Sequence, residues 1–132
     1  MNSKLKHLEF LQNIITRMNS NSFLLKGWTV TIVSALFAIS KMDLDNKFLA
    51  IVYIVIITFW ILDGYFLSQE RQYRDLYKSV TKIEDNQIDF SMNASDYNNG
   101  KNKWFNAMFS ITLRIFYGFL ILVVLIIKYL LN

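Results

Sequence analysis

The sequence predicts an all-α membrane protein with three transmembrane helices. Hydrophobic residues make up 54% of its 132 residues, above the usual share in a soluble globular domain. They cluster in three long runs, each able to cross a bilayer as a helix of about 20 residues. No run alternates apolar and polar residues as a half-buried strand does. The length suits one domain, 1–132.

The composition also excludes several kinds of site. The chain has no cysteine, which rules out disulfides and cysteine-based metal or redox centres. Its single histidine, His7, argues against histidine-based metal sites and Ser/His/Asp catalysis. The sequence contains no glycine-rich phosphate loop and no nucleophile motif. We therefore expect no enzyme activity, catalytic residue, metal site or cofactor.

The first predicted element is an amphipathic helix over residues 1–18, which either packs on another helix or lies on the membrane surface. The polar run 19–22 predicts a break, because asparagine and serine favour helix caps. The first span is expected at 23–40. Small residues on one of its faces would let helix backbones approach closely in lipid. They are Gly27, Thr31, Ser34, Ala35 and Ala38.

The second span is predicted at 48–68. It follows a short polar turn at 41–47, so the first two spans should be antiparallel neighbours. The helical period then continues through polar residues, which predicts a cytosolic extension of the same helix over 69–83. One stripe crosses this junction and comprises Asp63, Leu67, Glu70, Arg74 and Tyr77. Residues 84–103 have no periodicity and predict a mobile loop.

The third span is predicted at 104–131, beginning at Trp104. Lysine and arginine are distributed unevenly between the two sides of the predicted spans: four lie within the first 26 residues and six within 69–103, against two in the 41–47 turn. By the positive-inside rule, the N-terminus and residues 69–103 are expected in the cytoplasm.

Three ionisable residues lie within the apolar runs. Lys26 and Asp63 are nearly the same number of residues from the hairpin turn, so they should lie at the same depth and form an ion pair between the first two spans. Arg114 is expected about 15 Å into the third span, where it either competes for Asp63 or lines a polar path through an oligomer. The alternative is that these charges only set helix register or reach the lipid headgroups.

A second group of candidate residues lies on the predicted cytosolic helices. It combines cations with an aromatic face, a mixture that can bind a phosphate and stack a base. A solvated helix face is the alternative interpretation. The candidates for contact with a ligand or partner are Arg17, Glu70, Arg71, Arg74, Tyr77 and Lys78.

Two stretches, HLEFLQNIITRMNSNSFLLKGW at 7–28 and WILDGYFLSQERQYRDLY at 60–77, resemble small multi-pass membrane effectors of bacterial anti-phage defence. These are the SLATT-type and Hailong-type channel effectors. The resemblance covers the first hairpin and its cytosolic helices, and it does not clearly extend to residues 84–132. It implies a homo-oligomer, a tetramer or similar, that forms a gated channel in the bacterial inner membrane and causes abortive infection.

The resemblance also implies control at the cytosolic face by a nucleotide, an oligonucleotide or a regulatory partner protein. The residues themselves support a narrower statement. Three short spans cannot enclose an aqueous path, so conduction requires several copies in contact with membrane lipid. The rival hypothesis is a non-conducting membrane anchor or assembly subunit for a cytosolic partner. It predicts no ion flux and a dispensable Arg114.

Overall fold

The computed structural model describes residues 2–40 and 44–131, and within these ranges every regular element is helical. The helices are α1 (Asn2–Ser40), α2 (Asn46–Thr81), α3 (Trp104–Met108) and α4 (Ile111–Leu131). Helices α1, α2 and α4 are each long and apolar enough to cross a membrane. The predicted fold class is therefore confirmed: the protein is all-α, with three helices of membrane-spanning length and composition.

Helices α1 and α2 form a long antiparallel hairpin with a separate apolar cluster near each end. The first cluster, here the apolar core, also includes α4. Its buried members are Val33, Leu49, Val52, Ile56, Leu113, Tyr117 and Val124. The second, here the polar-end core, lies where the hairpin meets the segment after α2. Its buried members are Leu11, Leu76, Val80 and Ala94.

The outer faces of the three long helices expose large apolar side chains. Phe23 of α1 is 76% exposed, Ile54 of α2 63% and Phe119 of α4 63%. In water such a surface would favour aggregation, because contiguous apolar patches of this kind are rare on soluble monomers. It suits contact with lipid.

The predicted break at 19–22 is absent, and α1 continues through it. Asparagine and serine disfavour a helix interior only weakly, by less than about 1 kcal/mol each. Packing overrides that preference here, because α1 lies against α2 both before and after this run. Leu11 and Ile15 are buried on one side of it, and Val33 on the other.

The predicted apolar stripe of 1–18 is only partly buried, since Leu5 is 56% exposed while the polar His7 is 1% exposed.

Helix α2 begins where the side chain of Asp45 caps it, accepting a hydrogen bond from the Phe48 backbone N–H at 2.7 Å. It continues without interruption from the apolar residues into the polar ones, as the periodicity predicts. No proline or glycine cluster interrupts it. Residues 41–43 of the predicted turn lie outside the described residues.

The third span differs from its predicted bounds. Residues 104–131 form two helices, because the chain leaves helical geometry at Phe109, where φ is −101° and ψ is 21°. Helix α4 starts at Ile111, and the Ser110 hydroxyl accepts a hydrogen bond from the Leu113 backbone N–H at 3.4 Å. Serine is a favoured N-cap, so this residue supplies a local reason for the restart.

Between α2 and α3 the chain has no long helix, only three short 3₁₀ turns at Asp85–Gln87, Ser95–Tyr97 and Gly100–Asn102. Long-range hydrogen bonds attach this segment to the hairpin. His7 Nε2 donates to the Ser91 carbonyl at 2.8 Å, and the Tyr73 hydroxyl donates to the Met92 carbonyl at 2.8 Å. The sequence predicts a mobile loop here, and it does not predict these contacts.

Candidate functional site

A buried cluster of polar side chains joins the three long helices, and we call it the Asp63 cluster. Asp63 of α2 has no exposed surface. Its Oδ2 accepts hydrogen bonds from Lys26 Nζ at 2.6 Å and from the Tyr117 hydroxyl at 2.8 Å. Its Oδ1 accepts a hydrogen bond from the Ser22 hydroxyl. One carboxylate is thus held by a cation and a hydroxyl of α1 and by a hydroxyl of α4.

Helical spacing explains how α1 supplies two of these groups. Ser22 and Lys26 are four residues apart, so they lie on the same face one turn from each other. Lys26 Nζ also donates to the Ser22 hydroxyl at 2.8 Å. The ammonium group lies 5.9 Å from the centroid of the Phe116 ring, within the range of a cation–π contact. Lys26 and Asp63 therefore form the hairpin ion pair that the depth argument predicts.

The electrostatics of the cluster are those of a closed, compensated site. The Lys26 side chain is 17% exposed and that of Asp63 is 0% exposed. Removing a carboxylate from water is costly unless it is paired and hydrogen-bonded, and here both of its oxygens have partners. Such a pair is weak evidence for added stability. It does fix the register of α1 against α2, because sliding either helix would leave a buried charge unpaired.

An aromatic stack extends the cluster towards α3. The Trp60 ring lies parallel to the Tyr117 ring, with an interplanar angle of 7° and a centroid distance of 5.8 Å. Trp60 Nε1 donates to the Met108 carbonyl at the end of α3 at 2.6 Å. Gly64, next to Asp63, brings the α2 backbone against Met108, since an added Cβ would lie 3.1 Å from the Met108 Cα. The short helix is therefore attached to the same level of α2.

Arg114 does not join the cluster. It lies in the first turn of α4 on the exposed face, and its side chain has no ion pair or hydrogen bond with residues 2–40 or 44–131. The expectation that it competes for Asp63 is wrong, because its side chain lies on the exposed face of α4 and the partners of the buried carboxylate are Lys26, Ser22 and Tyr117. Because α4 starts at Ile111, Arg114 is also closer to its helix end than predicted. It lies only three residues before Tyr117, about 4.5 Å along the axis.

The second candidate group is only partly brought together. Glu70 is 8% exposed and accepts a hydrogen bond from Arg74 at 2.9 Å. Arg71 donates to the Lys101 carbonyl at 2.6 Å and so attaches the turn Gly100–Asn102 to α2. Tyr77 packs at the edge of the polar-end core, while Arg17 and Lys78 are exposed. Four members, Glu70, Arg71, Arg74 and Tyr77, therefore have partners within the chain, and Arg17 and Lys78 form no enclosed pocket with them.

Two members of the Asp63 cluster were missed by sequence reasoning. Ser22 carried a usable signal, because it lies one helical turn before a lysine inside an apolar run. It was assigned instead to a helix break. Tyr117 carried no comparable signal, since a tyrosine in a span is also expected as an interfacial aromatic. Among the described residues, no three His, Asp or Glu side chains are grouped to hold a metal ion.

Comparisons of the chain with protein-family models, with curated proteins and with solved structures give no match. The functional interpretation therefore depends on the geometry of the three long helices, the Asp63 cluster and the surfaces around them.

Proposed function

We propose that the chain is one subunit of an oligomeric, gated ion channel in a bacterial inner membrane. The observation that carries this proposal is the Asp63 cluster, which links all three long helices where α2 passes from apolar to polar residues. A conformational change in the polar part of the hairpin would be transmitted to the Asp63 cluster through α1 and α2, because both helices continue past the cluster without a break.

The polar end is proposed to be the cytosolic, ligand-sensing part. It consists of the first half of α1, α2 beyond Ser68, and the segment 82–103. The positive-inside rule supports this orientation, with the N-terminus in the cytoplasm. Arg17, Arg74 and Lys78 are exposed there, and cations of this kind attract a nucleotide, an oligonucleotide or an acidic partner protein.

Several copies are needed for conduction, and the exposed surfaces support assembly. All five small residues of the α1 stripe, from Gly27 to Ala38, are exposed and unused within the subunit. Small residues on lipid-facing helices favour close helix association. Arg114 is exposed and unpaired within the described chain, and an intramembrane arginine usually faces water or a partner. In an oligomer, Arg114 would line the path and favour anions.

The biological role follows from the resemblance of residues 7–28 and 60–77 to anti-phage channel effectors. In that role the closed channel would open on a cytosolic signal, depolarise the membrane and stop growth of the infected cell. The closed, compensated state of the Asp63 cluster suits a resting channel, because neither charge of the Lys26–Asp63 pair is free to interact with a passing ion.

Inducible expression in bacteria loaded with a membrane-potential dye, with and without phage infection, tests this function. The wild type should depolarise the membrane, and Arg114→Ala should reduce the effect at equal membrane abundance. Lys47→Ala is the matched control, because it removes one exposed positive charge at the start of α2, outside the proposed sensing part. It should depolarise the membrane like the wild type.

The rival function is a non-conducting anchor or assembly subunit. It is favoured by the same observation that Lys26 and Asp63 neutralise each other inside the subunit. Under this alternative the membrane potential stays intact in every condition while the protein is inserted, and Arg114→Ala has no effect. That result would contradict the channel proposal.

A further inference from the structure

A pocket of about 370 Å³ lies between α2 and the short helix α3. Neither the Asp63 cluster nor the exposed cations of α2 line it. Its walls have two kinds of side chain. Amide and ammonium groups come from Gln69, Gln72 and Lys103, and aromatic rings come from Tyr65, Trp104 and Phe105. A ligand that fits both walls needs a polar or anionic part next to an apolar part.

One member of the polar wall, Gln72, is held in place by a hydrogen bond within the chain. Gln72 is 5% exposed, and its amide donates to the Ser68 hydroxyl at 3.0 Å. That hydroxyl donates in turn to the Asn102 carbonyl at 2.5 Å. The residue before Lys103 is therefore bound directly to α2, which holds the start of α3 at the pocket.

The pocket lies at the level expected for lipid headgroups. Asn46 begins α2 and Tyr65 lies nineteen residues later, which at the helical rise is about 28 Å, close to the hydrocarbon thickness of a bilayer. Trp104 and Phe105 are 45% and 69% exposed. The Trp104 indole donates to the Ile61 carbonyl at 2.9 Å and packs edge-on to Tyr65 at 5.5 Å. Amphipathic rings of this kind favour the membrane–water interface.

Lys103 is the one charged side chain that lines the pocket. Lys103 is exposed and has no ion pair with residues 2–40 or 44–131. Two acids of α2 lie near this level but do not line the pocket: Glu70 is paired with Arg74, and Asp75 accepts a hydrogen bond from Asn102 at 2.6 Å. An ammonium group beside the side-chain amide of Gln69, which has no hydrogen bond with the described residues, suits a phosphate oxygen.

We propose that this pocket binds the phosphate headgroup of an anionic phospholipid. Lys103 faces the phosphate, Gln69 and Gln72 form the polar wall beside it, and the acyl chains run past Phe105 into the bilayer. The site does not depend on ion conduction, so it stands or falls separately from the channel proposal.

Native mass spectrometry of the full chain, purified in detergent with equal amounts of phosphatidylglycerol and phosphatidylcholine, tests the site. The wild type should retain phosphatidylglycerol in preference to phosphatidylcholine. Lys103→Ala should lower phosphatidylglycerol retention by about fivefold, the change expected for one lysine at an anionic headgroup. Lys101→Ala is the matched control, because it removes the same charge two residues away and its side chain does not line the pocket. It should retain the lipid.

Three outcomes would overturn the proposal. The first is equal retention of the two lipids by the wild type. The second is an equal loss in the Lys101→Ala and Lys103→Ala proteins, which would indicate diffuse attraction without a pocket. The third is displacement of the lipid by millimolar inorganic phosphate, with phosphate bound alone in its place, which would indicate a site for a soluble phosphate.

Discussion

Among single residues, Asp63 carries a charge that is completely buried. Its carboxylate is buried, and it is balanced by one ammonium group and two hydroxyls from two other helices. Breaking a buried ion pair by neutralising one partner is more destabilising than replacing both partners, because the remaining charge is left without compensation. The cluster therefore acts mainly as a constraint on how the three long helices sit together.

Asp63→Asn should destabilise the protein by about 3 kcal/mol, near the lower end of the range for a broken buried pair because Lys26 is partly exposed. Ser22 and Tyr117 donate to different oxygens of Asp63, and asparagine keeps only one of these acceptors, so the variant loses the charge together with one accepted hydrogen bond. Adding Lys26→Met removes the unpaired ammonium and should restore most of the lost stability. Thermal unfolding in one detergent measures both proteins. A double variant no more stable than Asp63→Asn alone would contradict this assignment.

Among the elements, α3 depends on a close approach of two backbones. Gly64 lies where α2 meets Met108, and a Cβ there would press on the Met108 side chain and backbone. The Trp60 indole fixes the same end of α3 by its hydrogen bond to the Met108 carbonyl. Glycine suits this position because the missing side chain leaves room for Met108.

Gly64→Ala should destabilise the protein by about 1–3 kcal/mol, the usual cost of overpacking a closed contact, and loosen α3. Gly118→Ala in α4 is the control, since no atom lies within 4 Å of an added Cβ there. That control should be neutral or slightly stabilising, because alanine favours a helix more than glycine does. Thermal unfolding and the tryptophan fluorescence spectrum measure the effect. Equal behaviour of the two variants would contradict the close contact.

The elements also reveal how far the sequence predicts this fold. Apolar run length was enough to find three membrane-length helices, and periodicity was enough to extend α2 past its apolar residues. Depth matching was enough to pair Lys26 with Asp63. Local propensity failed at 19–22, where helix packing along the hairpin outweighs the capping preference of asparagine and serine. It also failed at Ser110, where a capping residue inside an apolar run was overlooked.

The candidate site was less predictable than the fold. Ser22 and Tyr117 reach Asp63 because three helices cross at one level. The spacing of Ser22 from Lys26 indicates that these two residues share a face, but no local pattern indicates that Tyr117 joins them. The depth of Arg114 in its span predicts either competition for Asp63 or a place on a polar path through an oligomer, and depth alone does not choose between them. Which face of α4 Arg114 occupies depends on how α4 packs on α2, and that is set by Leu113, Tyr117 and Val124.

At the scale of the whole molecule, the small-residue stripe of α1 is a helix-packing surface that stays exposed in the single chain. The small residues of α1 lie outside, while the apolar core uses other faces of the same helix. An isolated subunit with three spans cannot enclose water. In the proposed assembly, the α1 stripe of each subunit therefore packs against a helix of a neighbouring subunit.

Gly27→Leu should reduce the oligomer fraction without unfolding the subunit, because nothing in the subunit lies within 4 Å of a Cβ at this position. Gly118→Leu is matched in size and in open space but lies on α4. It should leave the oligomer intact. Native mass spectrometry or chemical cross-linking in detergent gives the fractions. An equal loss in both variants would contradict assembly through the α1 stripe.

The most direct test of the channel proposal is ion flux through the purified protein in liposomes. A dye-loaded proteoliposome assay should detect ion permeation by the wild type, rising more steeply than linearly with protein density because several copies form one path. Gly27→Leu should lower this flux together with the oligomer fraction. If the inserted, oligomeric wild type leaves the liposomes tight, with and without a candidate nucleotide, the protein does not conduct and is an anchor or assembly subunit.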